Sequence, residues 1–317
     1  MLPWILCAVG LVILLVAGDL LVRGAVNLSL RIGIPALIVS LTVVAFGTSA
    51  PELLISVQAL TEGKPGLALG NVVGSNTANV LIVLGLPAII SRMHTSKLDT
   101  KRSYVMMLVV SVLFIGLAFF GTFTWVSGLI LLGVLALILG DQFYEARCHM
   151  SDAKAAAAEE EEVEGADPSL PWWRILGYLA IGLCGLPFGA DLLVENASII
   201  AAAFGVSDAM IGLTLVAFGT SLPELATTVM AAMRRQADVA LGNVIGSNVF
   251  NLLAIIGIAS LIGPIPVAPE FLRFDLWVMF GAALIMAPFV LLGWDLGRRW
   301  GIVLSALYIA YIALVFI

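Results

Sequence analysis

Two seven-residue segments, FGTSAPE at 46–52 and FGTSLPE at 218–224, place a glutamate, a proline and two hydroxyl residues inside long apolar stretches. A carboxylate at the centre of a bilayer costs about 2.5–3.5 kcal/mol on insertion scales, so it is rare there and marks function. Glu52 and Glu224, gathered at one site, would repel each other unless they were protonated or neutralised by cations. One divalent cation would balance both charges. Ca²⁺ prefers carboxylate, carbonyl and hydroxyl oxygens, which Na⁺ accepts too, so the segments predict a site for hard cations.

The same segments predict a helix break partway across the membrane. Ser49 is typical of a helix cap, and Pro51 and Glu52 are typical of the first turn that follows it. Gly47 is typical of a helix end, and the second segment repeats the arrangement. A break leaves carbonyls that must face protein or a water-filled cavity, where they are suitable cation ligands. The candidates are the carbonyls of Ala45, Phe46, Thr48, Ala217, Phe218 and Thr220. The simpler alternative is that each glutamate only completes a capping box with Ser49 or Ser221.

A second repeated motif follows each break, as GNVVGSN at 70–76 and GNVIGSN at 242–248. Two of its polar residues and an asparagine just beyond it are spaced four apart, so they share one helical face. They are Asn71, Ser75 and Asn79 in the first copy and Asn243, Ser247 and Asn251 in the second. Two glycines four residues apart in each copy form a small-xxx-small pair that lets helices approach closely. Hydrogen bonding between helices and ion coordination are both open for these side chains.

All of these features recur at one spacing of 172 residues, with no gap required. The spacing relates Asp19 to Asp191, Glu52 to Glu224 and Asn79 to Asn251. Each half contains five apolar spans, an odd number, so the halves must insert with opposite orientations. Inverted repeats of this kind are typical of secondary transporters. A passive channel or a non-transporting scaffold has less need of one.

The elements that position these residues are membrane spans. Of the 317 residues, 61% are hydrophobic and 11% are charged, whereas soluble domains carry about 25% charged residues. The apolar runs approach the roughly 20 residues that cross a hydrocarbon core. They lie at 2–22, 34–60, 67–90, 104–121, 124–141, 173–194, 206–233, 238–262, 274–293 and 300–317. The predicted fold is an all-α polytopic membrane protein with ten transmembrane helices, built as two inverted five-helix repeats with broken helices in spans 2 and 7.

Charge predicts the domain organisation and the orientation. The first repeat occupies 1–144, an acidic linker 145–172 and the second repeat 173–317. All but two of the 15 Lys and Arg residues lie in the odd-numbered connections; Lys64 and Arg273 lie on the other side. Positive loops stay in the cytoplasm, so we expect both termini outside and the linker cytoplasmic, in the cell (inner) membrane. The linker lacks the ligand spacing of a Ca²⁺ loop and is expected to be a solvated tether.

The blocks GTSAPE…GNVVGSNTAN and GTSLPE…GNVIGSNVFN resemble the two alpha-repeats of the sodium/calcium exchanger family, part of the cation/Ca²⁺ antiporter superfamily, in its prokaryotic-type form. The resemblance implies clustered mid-membrane sites, one favouring Ca²⁺ and the others used by Na⁺. It implies that Glu52 and Glu224 are the central Ca²⁺ ligands, with backbone carbonyls of Thr48 and Thr220. It also implies a Na⁺ site from Ala45, Thr48, Ser49 and Ser75, a mirror-image site from Ala217, Thr220, Ser221 and Ser247, and Asn79 with Asn251 completing the middle.

The function implied by the resemblance is that of a secondary antiporter rather than an enzyme. Na⁺ is exchanged for Ca²⁺ by alternating access, as the first helix of each half slides against the other eight. Na⁺, Ca²⁺ and the bilayer are the expected partners; no cofactor, nucleic acid or obligatory protein partner is implied. Some relatives, including K⁺-dependent exchangers, carry Asp at one of the two inner positions. Asparagine at both Asn79 and Asn251 leaves two formal negative charges and argues against K⁺ co-transport.

Two alternatives concern the coupling ion and the cargo. A Ca²⁺/H⁺ antiporter would trade protons for Ca²⁺ at the glutamates, but the cation/proton branch typically carries GNA-x-E, which is absent here. An exchanger of Mg²⁺ or Mn²⁺ is the other; mixed carboxylate and carbonyl ligands suit Ca²⁺ better than the octahedron of Mg²⁺. Three Na⁺ for one Ca²⁺ would move one net charge per cycle. Asp19 and Asp191 are expected to be interfacial charges near helix ends, with a gating role as the alternative.

Overall fold

The computed structural model describes residues 2–95, 100–148, 167, 169–205 and 217–315, and these residues are almost entirely helical. The helices are α1 (Leu2–Ile32), α2 (Ala36–Thr48), α3 (Ala50–Thr61), α4 (Pro65–Ile90), α5 (Lys101–Ala118), α6 (Trp125–Cys148), α7 (Trp172–Ala203), α8 (Ala217–Gly219), α9 (Leu222–Met233), α10 (Ala237–Ile262), α11 (Phe271–Leu291) and α12 (Arg298–Val315). Two short strands, β1 (Thr122–Phe123) and β2 (Ile265–Pro266), pair antiparallel and join the connection after α5 to the connection after α10.

The length and composition of the helices are those of a polytopic membrane protein. Within the described residues, 7 helices are long and apolar enough to cross a membrane, and the bent pair α2–α3 raises the number to 8 if it crosses as one span. The predicted all-α membrane fold is thereby confirmed. Ten spans remain a prediction, because residues 206–216, which begin the seventh predicted span, lie outside the described part of the chain.

The first helix of each half is longer than the sequence indicated. The predicted spans 2–22 and 173–194 correspond to α1 and α7, which have 31 and 32 residues. At about 1.5 Å per residue each exceeds a hydrocarbon core of about 30 Å, so each must tilt or extend beyond the core. The expectation that Asp19 and Asp191 lie near helix ends was therefore wrong, because both are helix-interior residues.

α1 and α7 pack directly against each other through glycines. A Cβ atom on Gly10 would lie 2.8 Å from the backbone nitrogen of Leu193, and one on Gly182 would lie 2.7 Å from the Cβ of Leu21. Both distances are shorter than carbon–nitrogen and carbon–carbon contacts allow, so only glycine permits this approach. Small residues at helix crossings are the usual means of close packing in membranes. The two helices form a pair beside the remaining bundle.

α4 and α10, which carry the two GNV(V/I)GSN motifs, form the centre of the molecule. Their apolar windows are 78% and 83% buried, against 22–39% for the other five qualifying helices. Each contains a π-helical turn, Asn79–Val83 in α4 and Asn251–Ile255 in α10. These two turns are 172 residues apart and each begins at a predicted ligand. A π turn re-aims side chains within a helix and is frequent at functional sites.

The predicted break in span 2 is present as a bend of 41° between α2 and α3, centred on Ser49. Pro51 lies in the first turn of α3, where its missing N–H is tolerated, and Glu52 is the acidic residue of that turn. In the second half, Pro223 and Glu224 hold the same positions in α9. The predicted break in span 7 is described only from Ala217 onward.

Candidate cation-binding site

The two predicted central glutamates lie in the first turns of α3 and α9, and both are completely buried. Their carboxylates interact electrostatically with each other. The hydroxyls of Ser75 and Thr220 lie beside Glu52, while those of Thr48, Ser49 and Ser247 lie beside Glu224. Each glutamate thus has as neighbours a threonine from the opposite half and a serine from the motif helix of its own half. These seven of the twelve residues that the sequence predicted to form one site are thus brought together.

Ser49 and Ser221 occupy helix-cap positions without making the predicted side-chain cap. Neither forms a side-chain hydrogen bond to the backbone of the helix that it precedes. The hydroxyl of Ser49 instead donates to Oε1 of Glu224 at 3.1 Å, across the two halves of the chain. The capping-box interpretation was therefore wrong for these side chains. In a capping box the serine oxygen would accept a backbone N–H of the first turn, whereas the Ser49 hydroxyl is turned towards the buried Glu224 carboxylate, to which it makes a charge-assisted hydrogen bond.

The predicted site contains a cluster of buried oxygens without hydrogen-bond partners. Among the described residues these are Oε1 and Oε2 of Glu52, Oε2 of Glu224, Oγ of Ser75 and Ser221, and Oδ1 of Asn79 and Asn251. Each unsatisfied buried polar group costs about 1–3 kcal/mol, and charged groups cost more. All of these are hard oxygen atoms, the donor set that binds Ca²⁺; the amide nitrogen of Asn251 is also without a hydrogen-bond partner. Those of Glu52, Glu224 and Ser75 lie together, and they fit a binding site for cations.

Ala45 is placed in the same region by its contact with Thr48. Ala45, Thr48, Thr220 and Ser247 are buried, and Thr48 lies at the C-terminal end of α2. The carbonyl of Ala45 accepts the backbone N–H of Ser49 at 3.1 Å and lies 3.3 Å from Oγ1 of Thr48. The Ala45 carbonyl oxygen therefore already has one backbone partner, and the Thr48 hydroxyl would compete with a cation for its second lone pair. Ala217 begins α8, but its side chain lies outside the described part of the structure.

Asn71 and Asn243 hold the glutamate helices in place. Nδ2 of Asn71 donates to the Glu52 carbonyl and to Oγ of Ser56, both at 3.1 Å. Nδ2 of Asn243 donates to the Glu224 carbonyl at 3.3 Å and to Oγ1 of Thr228 at 3.2 Å. The structure thus supports hydrogen bonding between helices, one of the two interpretations open from the sequence. Ser56 and Thr228 are additional members of the motif that sequence reasoning missed.

Asn76 and Asn248 form a second layer that the sequence analysis also missed. Nδ2 of Asn79 donates to Oδ1 of Asn248 at 3.1 Å, and Nδ2 of Asn76 donates to the carbonyl of Asn248 at 3.2 Å. The hydrogen bond to Asn248 holds the side chain of the predicted ligand Asn79 in place, and the bond from Asn76 holds Asn248. The recurrence of Asn76 and Asn248 as the last letter of both GSN triplets was the available signal.

Asp19 forms an ion-paired cluster rather than an isolated interfacial charge. It contacts Arg23 of the same helix at 3.0 Å and also Arg234, which follows α9. Asp19 and Arg234 are 19% and 14% exposed, so the pair is mostly shielded from water. Among the described residues, Asp191 has no ion pair of this kind. The two aspartates related by the repeat therefore differ in their surroundings.

Comparison with known proteins agrees with this geometry. The family model described as sodium/calcium exchanger protein matches residues 2–144 and 174–317. The chain is 36% identical to the putative antiporter CaxA of Alkalimonas amylolytica, over 88% of this chain and 86% of that protein. It is 33% identical to the sodium/calcium exchanger MaX1 of Methanosarcina acetivorans, over 99% and 98%. Its structure resembles that of the sodium-calcium exchanger NCX_Mj soaked with 2.5 mM Na⁺ and 0.1 mM Ca²⁺, with a TM-score of 0.83 and 32% identity over 99% and 98% of the chains.

Proposed function

The chain belongs to the sodium/calcium exchanger protein family, and on that premise we propose that it is a secondary antiporter that moves Ca²⁺ against Na⁺ by alternating access. The observation that carries this proposal is the cluster of unpartnered oxygens around Glu52 and Glu224. Two buried carboxylates require positive charge, and no Lys or Arg is hydrogen-bonded or ion-paired to either among the described residues. Transported cations supply it.

The ligands we propose follow the two-fold relation of the halves. Ca²⁺ takes the carboxylates of Glu52 and Glu224 with the carbonyls of Thr48 and Thr220. One Na⁺ site uses Ala45, Thr48, Ser49 and Ser75, a mirror site uses Ala217, Thr220, Ser221 and Ser247, and Asn79 and Asn251 complete the middle. The Na⁺ sites share Thr48 and Thr220 with the Ca²⁺ site, and every bound cation is neutralised by the same two carboxylates, so Na⁺ and Ca²⁺ exclude each other.

Mutual exclusion explains why transport would be an exchange rather than a leak. With Ca²⁺ bound, the two carboxylates and the ion sum to zero charge. With no cation bound, two like charges remain buried together in a site of low dielectric, which is strongly unfavourable. The empty protein therefore does not readily reorient, so Ca²⁺ leaves only when Na⁺ takes its place. This is the coupling that an antiporter requires.

The architecture that we propose for alternating access is two inverted five-helix repeats, 1–144 and 173–317, joined by a cytoplasmic linker at 145–172. The same two parts of the chain, apart from their ends, match the family model. α1 and α7 are the first helices of the two repeats and pack together at their glycines. We propose that this pair moves against the rest and opens the site to one side at a time, with both termini outside.

Ion flux in proteoliposomes tests the proposal. Purified protein is reconstituted, and uptake of radioactive Ca²⁺ is followed while gradients of Na⁺, K⁺ and H⁺ are imposed one at a time. We expect uphill Ca²⁺ uptake only with an outward Na⁺ gradient, and none when internal Na⁺ is replaced by choline. Uptake driven by a pH gradient alone would instead establish a Ca²⁺/H⁺ antiporter. Flux that runs only downhill would establish a passive pathway and overturn the exchange proposal.

A further inference from the structure

Asn243 is not one of the proposed ion ligands, yet its side chain lies where the two halves of the chain meet. It is completely buried in α10, and its carboxamide contacts three residues on two other helices. Nδ2 reaches the Glu224 carbonyl and Thr228 of α9, while Oδ1 lies 3.2 Å from Oγ1 of Thr48 at the end of α2. One side chain therefore links the bent helix of the first half to the glutamate helix of the second.

The orientation of this amide is fixed by its partners. A backbone carbonyl only accepts hydrogen bonds, so the group that faces the Glu224 carbonyl must be the –NH₂ of Asn243. The amide oxygen then faces Thr48. Because an amide oxygen only accepts, the hydroxyl of Thr48 must donate its single hydrogen for this bond to form.

Besides the Glu224 carboxylate, beside which the Thr48 hydroxyl also lies, that hydrogen has a competing acceptor within the proposed Na⁺ site. Oγ1 of Thr48 lies 3.3 Å from the Ala45 carbonyl, against 3.2 Å from Asn243 and 3.4 Å from the hydroxyl of Ser247. The Ala45 carbonyl already accepts the N–H of Ser49, and a carbonyl has two lone pairs. Its second lone pair binds either the hydrogen of Thr48 or a cation.

We propose that Asn243 is a positioning residue for Na⁺ binding: it draws the Thr48 hydroxyl hydrogen away from the Ala45 carbonyl, leaving that oxygen free to coordinate Na⁺. This inference rests on the proposed function and names a residue outside the proposed ligand set. Asn243 acts through Thr48 and Ala45 and does not itself touch the ion. Its effect falls on Na⁺ more than on Ca²⁺, because Ala45 belongs to the Na⁺ site alone.

Equilibrium binding to the purified full-length protein tests the inference. Two quantities are measured: the Ca²⁺ dissociation constant without Na⁺, and the Na⁺ concentration that displaces half of the bound radioactive Ca²⁺. In Asn243→Leu, which has nearly the same size but no acceptor, we expect the displacing Na⁺ concentration to rise about fivefold to tenfold. The Ca²⁺ dissociation constant should change by less. An equal change in both quantities, or none in Na⁺, would overturn the inference.

A double-mutant cycle separates positioning from general damage. Thr48→Val removes the contested hydrogen, so adding Asn243→Leu to Thr48→Val should raise the displacing Na⁺ concentration no further. Asn71 makes the matching bonds to Glu52 and Ser56, and Asn71→Leu combined with Thr48→Val should be additive. Additivity of both pairs would refute the role of Asn243. If Asn243→Leu does not fold, Asn243→Ala, which also lacks an acceptor, takes its place in the cycle.

Failure of this inference is distinguishable from failure of the proposed function. Wild-type protein whose bound Ca²⁺ is not displaced by Na⁺ would contradict the exchanger itself. Wild-type protein that behaves as an exchanger, with an Asn243→Leu variant that Na⁺ displaces equally well, would contradict only the role of Asn243.

Discussion

Glu52 and Glu224 are the residues on which the proposed exchange depends, because they carry the negative charge of the site. We predict that Glu52→Gln or Glu224→Gln lowers Ca²⁺ exchange at least about hundredfold, since removing one charge from a buried ionic site costs about 3–5 kcal/mol. Without cations, either variant should unfold at a higher temperature than the wild type, because the repulsion between the carboxylates is relieved. Vesicle uptake measures the first effect and thermal unfolding in chelator measures the second.

The control for these variants is Glu270→Gln, which removes a carboxylate from an exposed position before α11. It should retain both exchange and the wild-type unfolding temperature. A folded Glu52→Gln or Glu224→Gln protein that exchanges Ca²⁺ normally would remove that residue from the centre of the site.

At the residue scale, the sequence predicted which side chains meet but not how they bond. Glutamate in an apolar stretch is informative because the bilayer penalises it so strongly. The hydrogen bond from Ser49 to Glu224 joins residues 175 positions apart, and no local pattern predicts it. The same holds for Asn243 and Thr48, because their contact depends on how α10 packs against α2.

At the scale of helices, the bend was predictable and the π turns were not. Pro51 and its surroundings signal a break through local chemistry, since proline lacks an N–H and favours a first turn. The π turns at Asn79–Val83 and Asn251–Ile255 have no such local signature. The ends of α1 and α7 were missed for a related reason. Asp19 and Arg23 resemble a span boundary, yet they pair with each other within a continuing helix.

The ion pair of Asp19 with Arg234 ties α1 to the end of α9, so it should influence how α1 moves. On the proposed orientation both Arg23 and Arg234 lie towards the cytoplasm, so we expect the ion pair of Asp19 with Arg234 to hold that side closed. We predict that Asp19→Asn shifts the protein towards the cytoplasm-open conformation by about fivefold, for a shielded pair worth about 1 kcal/mol. Apparent Ca²⁺ affinity measured from the cytoplasmic side should then rise relative to that measured from outside.

Inside-out and right-side-out vesicles give the two affinities separately. Arg234→Gln should shift their ratio in the same direction, and the double variant should shift it little further than either single one. Asp191→Asn is the matched control, because Asp191 has no ion pair among the described residues. Equal ratios in wild type and Asp19→Asn would show that the pair does not influence which side is open.

At the scale of the whole molecule, the two halves carry nearly the same proposed ligands but differ in the charged residues outside the central site. The repeat mates of Asp19, Arg23 and Arg234 are Asp191, Glu195 and Glu62. One face of the proposed transporter therefore has a carboxylate between two guanidinium groups, whereas on the other Glu62 pairs with Lys64 at 2.9 Å. An ion pair between α1 and the end of α9, with no counterpart at Asp191 among the described residues, would make the two access states unequal in energy, although the central site is nearly the same in both halves.

The central charge also predicts how the whole transporter responds to voltage. Asn79 and Asn251 leave the site with only the two glutamate charges, so the Ca²⁺-loaded site is neutral. If three Na⁺ bind, the loaded site carries one positive charge, and the Na⁺ step moves charge across the membrane. One charge across 100 mV is worth about 2.3 kcal/mol, which corresponds to a roughly 50-fold change in the equilibrium Ca²⁺ gradient.

Ca²⁺ uptake into Na⁺-loaded vesicles should accelerate at inside-positive potential and slow at inside-negative potential. The potential is set with a K⁺ gradient and valinomycin, and the same K⁺ gradient without valinomycin is the control. Uptake that is indifferent to potential would indicate two Na⁺ for one Ca²⁺, and uptake that responds to K⁺ without valinomycin would indicate that K⁺ is itself transported.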